Sequence, residues 1–253
     1  MTTETPVTTF TPKTPDTPEN QPVTNQPKSA FKIIRQNTSL GLMPRPEINI
    51  SCAPGLEYLS QVDQISIFQK TVAVENGLEG PTKFVLKSLD GKQIYTANED
   101  SVLWKREIYL STRPMQLKII SNSDKEIIVL NRPLNFCTCC FQNVEVMAPV
   151  GKVIGFVHQE KSCVQEKYTI KNAAGDVMFR LMGPPKTCCN TEIPKLTILT
   201  RNGQVKVATI SKLRCEPSLD TSLKADKIML KFCADVDVTS KALILAATFL
   251  MVK

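Results

Sequence analysis

Short apolar stretches separated by polar turn residues dominate the chain between about residues 80 and 210. Three pairs of stretches flank a turn signal: 84–86 with 93–95 around Asp90-Gly91, 117–120 with 127–130 around Ser123-Asp124, and 196–199 with 205–210 around Asn202-Gly203. Stretches of this length on either side of Asp, Asn or Gly are typical of β-hairpins. The pattern therefore predicts a mainly β fold.

One hairpin pattern occurs twice along the chain. Residues 83–88 are similar to residues 167–172, and the sequence that follows each of them is similar too. The repeat predicts two similar β halves, 52–142 and 143–238. Because each half-sheet has an apolar face and open edges, closing both halves into a single antiparallel barrel satisfies them most simply.

Residues 242–252 form an uncharged, apolar run between two lysines. A helix that is apolar on every side must be buried in protein or lipid, and this one would cover only about 16 Å, roughly half of a bilayer's hydrocarbon core. We therefore predict a hydrophobic C-terminal helix, about residues 240–252, buried inside the barrel. A single C-terminal membrane span is the weaker alternative, because Asp235 and Asp237 oppose lengthening the apolar run.

Residues 1–48 are rich in Thr, Pro, Asn and Gln and poor in large apolar side chains. Such a segment cannot bury enough apolar surface to offset the entropy of ordering, so we predict a disordered Pro/Thr-rich arm before a folded domain over 49–253. Four prolines in the arm have Pro-x-x-Pro or similar spacing: Pro12, Pro15, Pro18 and Pro22. The arm is interpreted either as a docking segment for a partner of the SH3 or WW type or as a plain spacer.

The chain carries 31 Lys and Arg against 24 Asp and Glu, a formal net charge of +7. This charge favours anionic partners such as a membrane surface or nucleic acid. The basic residues are scattered along the sequence, without the run of about four to eight that marks a lipid-binding polybasic segment. Ordinary solubility is therefore a sufficient explanation of the charge.

The first residues lack a secretory signal pattern, so we expect an intracellular protein with reduced cysteines.

Five of the nine cysteines fall in two short segments that follow prolines. They are Cys137, Cys139 and Cys140, shortly after Arg132-Pro133-Leu134, and Cys188 with Cys189, after Gly183-Pro184-Pro185. Dense cysteine clusters usually exist for sulfur chemistry, which here means acylation, metal binding or disulfides. Disulfides are the weakest of the three in a reducing compartment.

A zinc site is the alternative to acylation at these clusters. Cys137 and Cys140 have Cys-x-x-Cys spacing and, with Cys188 and Cys189, supply the four thiolates of a tetrahedral site if the fold brings them together. Adjacent cysteines are unusual in such sites, which favours acylation. The singly placed cysteines are predicted to be core or boundary residues, and they are Cys52, Cys163, Cys215 and Cys233.

His158 is the only histidine of the chain, so a catalytic Cys-His or Ser-His pair would have to use it. We interpret it instead as a surface strand residue. The sequence also has no glycine-rich phosphate loop, Walker motif or dinucleotide fingerprint. We therefore expect no covalent catalysis.

A long motif over residues 54–65 is the most specific feature of the sequence: Pro54-Gly55-Leu56-Glu57-Tyr58-Leu59-Ser60-Gln61-Val62-Asp63-Gln64-Ile65. Shorter motifs follow it in order, and they are Asn98-Glu99-Asp100, Arg113-Pro114, Arg132-Pro133-Leu134, Gly183-Pro184 and Ile210-Ser211-Lys212. In this combination the chain resembles the phospholipid scramblase family, which is similar to tubby C-terminal domains. The resemblance implies a closed, tubby-like β-barrel around a hydrophobic C-terminal helix. It also implies calcium-linked, bidirectional movement of phospholipids between membrane leaflets.

The resemblance also implies a lipid anchor. The family's cysteine-rich stretch after Arg-Pro-Leu is thioacylated, and Cys137, Cys139 and Cys140 hold that place, with Cys188 and Cys189 as further candidates. Palmitoyl groups would attach a soluble body to a phospholipid membrane, and two chains hold it far better than one. We expect that membrane to be the plasma membrane, at its cytoplasmic face.

The family's proposed calcium segment lies just before the final helix. Its equivalents here are Lys224, Asp226 and Asp235, with Asp237 as a partial substitute. Lys224 stands where the family has an acidic residue. Calcium takes six to eight oxygen ligands and binds more tightly as ligand charge rises, so the resemblance implies a weakened calcium site.

Two other functions stay open at this point. One is a lipid-anchored signalling or scaffold protein whose Pro-rich arm recruits partners, and the other is a nucleic-acid-associated regulator, although nucleic acid is the less expected ligand. A barrel filled by its own helix offers no groove for a lipid head group. Scrambling would therefore need an oligomer, local membrane thinning or opening of the barrel.

Overall fold

A computed structural model describes residues 41–44, 46, 52–70, 82–100, 114–133, 142–185, 195–214, 223–233 and 235–250. These residues all belong to one compact unit, Thr38–Lys253. Residues 1–40 of the predicted arm lie outside the described residues. The arm's last part contacts the barrel, because Met43 donates its amide to the carbonyl of Gln93 at 2.9 Å. Contacts with the barrel therefore begin ahead of the predicted boundary at residue 49.

The described elements are one short 3₁₀ helix, twelve strands and one α-helix. In chain order they are the 3₁₀ helix Leu56–Gln61, β1 Gln64–Lys70, β2 Lys83–Ser88, β3 Gln93–Asp100, β4 Met115–Ser121, β5 Glu126–Arg132, β6 Asn143–Met147, β7 Val153–Gln159, β8 Gln165–Asn172, β9 Val177–Pro185, β10 Lys195–Thr200, β11 Lys206–Arg214, β12 Leu223–Phe232 and α1 Val238–Leu250.

The twelve strands form a closed antiparallel barrel in which each strand pairs with its neighbours in sequence and β1 pairs with β12. The predicted mainly β, closed barrel is confirmed. The three predicted hairpins are β2–β3, β4–β5 and β10–β11. Their turns need a left-handed backbone, which Gly91 and Gly203 supply at φ 78° and 73° and Asp124 at φ 56°.

The sequence repeat corresponds to strands on opposite sides of the barrel. Its two copies are β2–β3 and β8–β9, which are six positions apart in a ring of twelve strands. Six strands therefore make one repeat, β1–β6 and then β7–β12. The boundary between halves lies in the turn at 148–152, so that β6 belongs to the first half, and not between residues 142 and 143.

The up-and-down order gives the barrel two unlike ends. At the first, which we call the turn end, strands are joined by four or five residues: 89–92, 122–125, 148–152, 173–176 and 201–205. At the second, the loop end, the connections run from five residues to fourteen: 71–82, 101–114, 133–142, 160–164, 186–194 and 215–222. Strand alternation places all connections after odd-numbered strands at the loop end.

Helix α1 fills the interior of the barrel. Residues 240–250 of the helix are all buried, and it packs against the 3₁₀ helix, β7 and β8. Its first turn lies at the turn end, while near its other end the Phe249 ring packs edge-on against Phe84, the second residue of β2, at 5.3 Å. The prediction of a buried C-terminal helix is confirmed, and the helix begins two residues earlier than expected. Within the described residues, no helix has the length and apolarity needed to span a bilayer.

Close packing of the helix depends on a glycine in the wall. A Cβ added to Gly155 of β7 would lie 2.2 Å from the carbonyl oxygen of Lys171 and 2.9 Å from a methyl group of Leu243. No side chain fits between β7 and the helix at this point, since real contacts are not that short. The helix therefore sits directly on the backbone of the barrel wall.

Candidate functional site

A buried lysine fixes the start of the helix. Lys241 is 5% exposed, and its Nζ donates to the backbone carbonyls of Leu59 at 3.1 Å and Val62 at 2.9 Å. The ammonium also lies 5.1 Å from the centre of the Phe232 ring and 3.9 Å from Oδ1 of the exposed Asp63. These contacts tie α1 to the 3₁₀ helix and to the beginning of β1.

Burial outweighs the nearby carboxylates and lowers the pKa of Lys241. The carboxylates that oppose this shift are Asp63 and Asp235. A buried ammonium is tolerated when its donors are satisfied, and two carbonyls with an aromatic face do this here. The sequence pattern marked Lys241 only as a flank of the apolar run, so its role as an anchor went unpredicted.

The long motif at 54–65 forms the other side of this anchor. Gly55 has φ 96°, its amide donates to the Glu57 carboxylate at 2.6 Å, and its carbonyl accepts from the Tyr95 hydroxyl at 2.6 Å. A Cβ on Gly55 would lie 1.7 Å from Cδ1 of Ile127. The motif is therefore a cap on the turn end, held to β3 and β5 and bonded to the helix through Lys241.

Asp237, a predicted calcium ligand, is the N-cap of α1. Its Oδ2 accepts from the Ser240 amide at 3.0 Å, and its carbonyl accepts from the Lys241 amide at 2.9 Å. Aspartate is among the preferred N-cap residues because its side chain satisfies an amide that lacks a partner within the helix. One carboxylate oxygen of the predicted calcium site is thus already used in the fold.

The calcium candidates do not all lie at one end of the barrel. Asp226 pairs with Arg214 near the start of β12, at the loop end, whereas Asp235 follows the end of β12 at the turn end. The strand from Asp226 to Phe232 alone spans about 20 Å at roughly 3.3 Å per residue, and calcium ligands lie about 2.5 Å from the ion. The barrel therefore does not bring Asp226 and Asp235 to one ion. The side chains of Lys224 and Asp226 lie outside the described residues.

No group of three or more His, Cys, Asp and Glu side chains that could hold a metal ion occurs within the described part of the chain. Asp235 and Asp237 are exposed at the turn end. They are two residues apart in sequence. Asp63 and Asp235 both lie close enough to Lys241 to raise the pKa of its ammonium, against the effect of burial.

Both cysteine clusters lie outside the described residues, but the strands that flank them are described. Cys137, Cys139 and Cys140 fall between the end of β5 and the start of β6, and Cys188 with Cys189 between the end of β9 and the start of β10. Both connections follow odd-numbered strands, so both begin and end at the loop end. The sequence alone could not indicate this shared end.

The base of the first cysteine segment is closed by hydrogen bonds. Arg132, an inward-facing residue that is 3% exposed, donates from Nη1 to Oε1 of Gln142 at 3.3 Å. The Gln142 amide in turn donates to Oε1 of Gln159 at 3.2 Å. The two residues on either side of segment 133–141 are therefore bonded to each other, and its ends are fixed to the barrel rim.

A zinc site shared by the two cysteine clusters would have to span two intervening strands of the barrel. Strands β6 and β9, the nearest flanks of the two clusters, are separated by β7 and β8, which is three strand spacings or about 14 Å. The four-thiolate site of Cys137, Cys140, Cys188 and Cys189 stays a prediction.

Two of the singly placed cysteines, Cys163 and Cys233, differ from their predicted burial. Cys52 is half-buried and packs against the core, and burial together with Glu57 raises the pKa of its thiol. Cys163 and Cys233 are exposed, so for them the prediction of core or boundary positions is wrong. Both stand just outside strands, before β8 and after β12, beyond the residues whose side chains alternate into the core. Cys215 lies outside the described residues.

His158 lies on β7, opposite Asn143 and Thr169, on the outward face of the wall. Partial burial and then the nearby Lys171 ammonium lower the pKa of its imidazole. The interpretation of His158 as a strand residue is confirmed.

Comparison with known proteins decides the family. The Scramblase family model matches residues 43–252, which is the whole barrel with its helix. This chain belongs to the scramblase family. It is 35% identical to phospholipid scramblase 1 of Homo sapiens over 243 residues, with 92% of this chain and 76% of that protein covered.

Two further relatives give the same result for the family. The chain is 32% identical to phospholipid scramblase family member 5 of Homo sapiens, covering 95% of this chain and 90% of the relative. It is 33% identical to phospholipid scramblase 2 of Bos taurus, covering 92% and 79%. No solved structure matches the chain significantly.

Proposed function

We propose that the protein is a membrane-attached phospholipid scramblase, which moves phospholipids in both directions between leaflets. The observation that carries this proposal is the family match, which extends over the entire barrel and its interior helix and not over a single motif. The reaction is lipid translocation, with no covalent bond made or broken.

The filled barrel restricts the route that a lipid can take. Residues 240–250 occupy the interior, so a head group does not pass through the barrel while the helix is in place. Carrying a polar head group bare through hydrocarbon costs several kcal/mol. The proposed route therefore runs along the outside or across the loop end, where a thinned bilayer or a second copy of the chain lowers this cost.

Attachment is proposed to occur through palmitoyl groups on Cys137, Cys139 and Cys140, with Cys188 and Cys189 as second acceptors. What supports it is that the two segments start from the same end of the barrel, so that acyl chains on both enter one patch of membrane. Two chains give stable anchoring where one gives reversible binding. The cytoplasmic face of the plasma membrane is the proposed site.

Calcium control is a separate part of the proposal. Asp235 and Asp237 are exposed, but Asp237 caps the helix and Asp226 lies at the other end of β12. Calcium at Asp235 and Asp237 would therefore compete with the cap, and we propose only weak binding there.

The Pro-rich arm is the proposed contact for an SH3 or WW partner, with Pro12, Pro15, Pro18 and Pro22 as its docking residues.

Proteoliposomes test the lipid movement directly. The full acylated chain is reconstituted with a fluorescent phospholipid in both leaflets, and a membrane-impermeant quencher is added outside. We expect quenching to exceed the outer-leaflet share, and to exceed it less in a variant with serine at the five clustered cysteines. Quenching that stops at the outer-leaflet share, with and without calcium, contradicts scrambling and favours a lipid-anchored scaffold.

The anchor itself is tested on the same pair of proteins. Acyl-exchange labelling of the parent is expected to report acylated cysteines, and the serine variant is expected to lose the label and, at raised salt, most of its membrane fraction. Zinc that copurifies with the parent at one ion per chain and vanishes from the serine variant would instead support the metal site at Cys137, Cys140, Cys188 and Cys189.

A further inference from the structure

The outer wall of β2, β1 and β12 carries five lysines around one aromatic ring. We call this surface the lysine face, and it consists of Phe68 with Lys70, Lys83, Lys87, Lys227 and Lys231. In the sequence its members are spread over residues 68 to 231. It lies on the outer surface of the wall, whereas the Lys241 anchor is buried inside the barrel.

Strand register assembles the face. Phe68 of β1 lies opposite Lys227 on β12, and Lys70 lies opposite Lys83 on β2. Lys87 and Lys231 lie opposite the outward residues Ser66 and Gln64.

Alternation along the strands decides that these side chains point outward. On β1 the buried Ile65 and Ile67 face the interior, so Phe68 and Lys70 face out. On β12 the buried Ile228 and Leu230 face in, which puts Lys227 and Lys231 on the outside by the same alternation.

Two ammonium groups share the Phe68 ring. Lys87 Nζ lies 5.5 Å from the ring centre and Lys227 Nζ lies 5.4 Å from it, one reaching from β2 and the other from β12. Both distances are within the range of a cation–π contact. Two like charges therefore share one aromatic ring on the outer surface of the wall.

No described carboxylate forms an ion pair with any of the five lysines. The described outward positions of the three strands carry no Asp or Glu at all, and those that are not lysine are Gln64, Ser66, Phe68, Val85 and Met229. The face thus has a charge of +5 with apolar side chains between the cations, and an anionic surface complements it.

We propose that the lysine face binds the anionic head groups of a phospholipid bilayer. The half-buried Phe68 and Met229 give the lysine stems an apolar base from which their ammonium groups reach into the head-group layer. Lys70 ends β1 and Lys83 begins β2, so the face reaches the loop end, where the acylated cysteines are proposed to enter the same membrane. The inference deepens the proposed function, because it adds a charge-based contact to the acyl anchor.

Vesicle binding by the full chain without acyl groups tests the proposal. The probe is a sedimenting vesicle of neutral phosphatidylcholine, with or without a share of phosphatidylserine, at moderate salt. We expect binding only to the anionic vesicles, and weaker binding as salt is raised, since the attraction is screened. Equal binding to neutral vesicles would overturn the proposal.

Paired substitutions locate the binding surface. Each lysine near an anionic leaflet contributes roughly fivefold to partitioning, so Lys87→Gln with Lys227→Gln is expected to weaken binding about 25-fold. The matched control, Lys92→Gln with Lys125→Gln, removes the same charge from exposed turn-end positions and is expected to bind like the parent. Equal losses in both pairs would show a general charge effect and contradict the lysine face.

Two further outcomes separate this inference from the alternatives. If a short duplex DNA displaces the chain from anionic vesicles and the Lys87 and Lys227 pair is needed for DNA binding, the ligand is nucleic acid and the proposal is wrong. Because the assay uses unacylated protein and measures no lipid exchange, it can succeed while the scrambling assay fails. Failure here with intact scrambling removes the lysine face and leaves the proposed function standing.

Discussion

The two ends of the barrel are built for different tasks. At the turn end, connections of four or five residues join the strands, the 3₁₀ helix closes the barrel and Lys241 ties the interior helix to it. At the loop end, the connections are longer and two of them carry the clustered cysteines. The described contacts that hold the interior helix are concentrated at the turn end, whereas the membrane contact proposed above lies at the loop end.

Charge also differs between regions of the barrel. Leaving out the buried Glu57 and Lys241, the described residues in and immediately beside the turn-end connections and chain ends have more carboxylates than cations: Asp63, Asp90, Asp124, Glu126, Asp176, Asp235 and Asp237 against Lys92, Lys125, Lys152, Arg201 and Lys206. The lysine face runs along the wall from Lys70 and Lys83 at the loop end to Lys87 and Lys231 near the turn end, and it has five cations and no described carboxylate. An anionic membrane is therefore expected to attract this wall of the barrel.

Replacing Lys241, which anchors the helix at the turn end, is expected to cause the largest loss in the free energy of unfolding. Lys241→Met leaves the buried carbonyls of Leu59 and Val62 without a donor, and we expect a loss of about 3 kcal/mol in the free energy of unfolding. Urea denaturation measures it, with Lys152→Met in an exposed turn as the control. Folded variant protein should still bind anionic vesicles, and lost vesicle binding by folded protein would break the comparison.

Gly55→Ala tests the cap at the same end. Alanine is strained at φ 96°, and its Cβ would collide with Ile127, so we expect destabilisation of about 2 kcal/mol. Gly203→Ala is the matched control, because its φ is 73° but nothing lies within 4 Å of the added Cβ. Thermal or urea unfolding should show a smaller loss for Gly203→Ala, and equal losses would mean that the contact with Ile127 contributes nothing.

Asp237→Ala separates the helix cap from calcium binding. Loss of the N-cap is expected to cost about 1 kcal/mol, whereas Asp237→Asn keeps a capping oxygen and should cost less. Asp235→Ala, which removes a carboxylate without removing a cap, serves as the control. Unfolding is measured with and without millimolar calcium. Calcium that stabilises the parent strongly and leaves Asp237→Asn unaffected would place a tight calcium site at the turn end and contradict the weak binding proposed.

The smallest expected effect is the pH dependence of stability that His158, on strand β7 of the wall, contributes. Because the folded-state pKa of His158 is lowered, the unfolded chain takes up the proton first, and stability should fall as pH drops below 6.5 and level off below the lowered pKa. His158→Gln should remove this part of the pH profile. His158 is the only histidine, so an unchanged profile in the variant would assign the titration to other groups.

The hairpins and the buried helix could be predicted from the sequence because neighbouring residues specify them. Asp90-Gly91 and Asn202-Gly203 identified their hairpins, because a left-handed turn between apolar stretches is specified by neighbouring residues. The uncharged run at 242–252 predicted a buried helix, since a helix apolar on every side has no solvent-facing surface.

Features that depend on strand register could not be predicted in this way. Lys87 and Lys227 meet over Phe68 only because β1 lies between β2 and β12, so the sequence showed scattered lysines where the fold has a cluster. Asp226 and Asp235 are near in sequence, but the length of β12 places them toward opposite ends of the barrel, which sequence spacing alone does not show. Asp237 was identified as a ligand because capping and calcium binding use the same carboxylate chemistry.

The order of the elements has a consequence for biosynthesis. The helix at 238–250 follows all twelve strands that surround it, and the pairing that closes the barrel joins residues 64–70 to residues 223–231. During translation the strands therefore emerge before the apolar segment that they will enclose has been made. Contacts so distant in sequence form slowly, and half-built sheets expose apolar surface. The nascent chain must be protected from aggregation until its own core arrives.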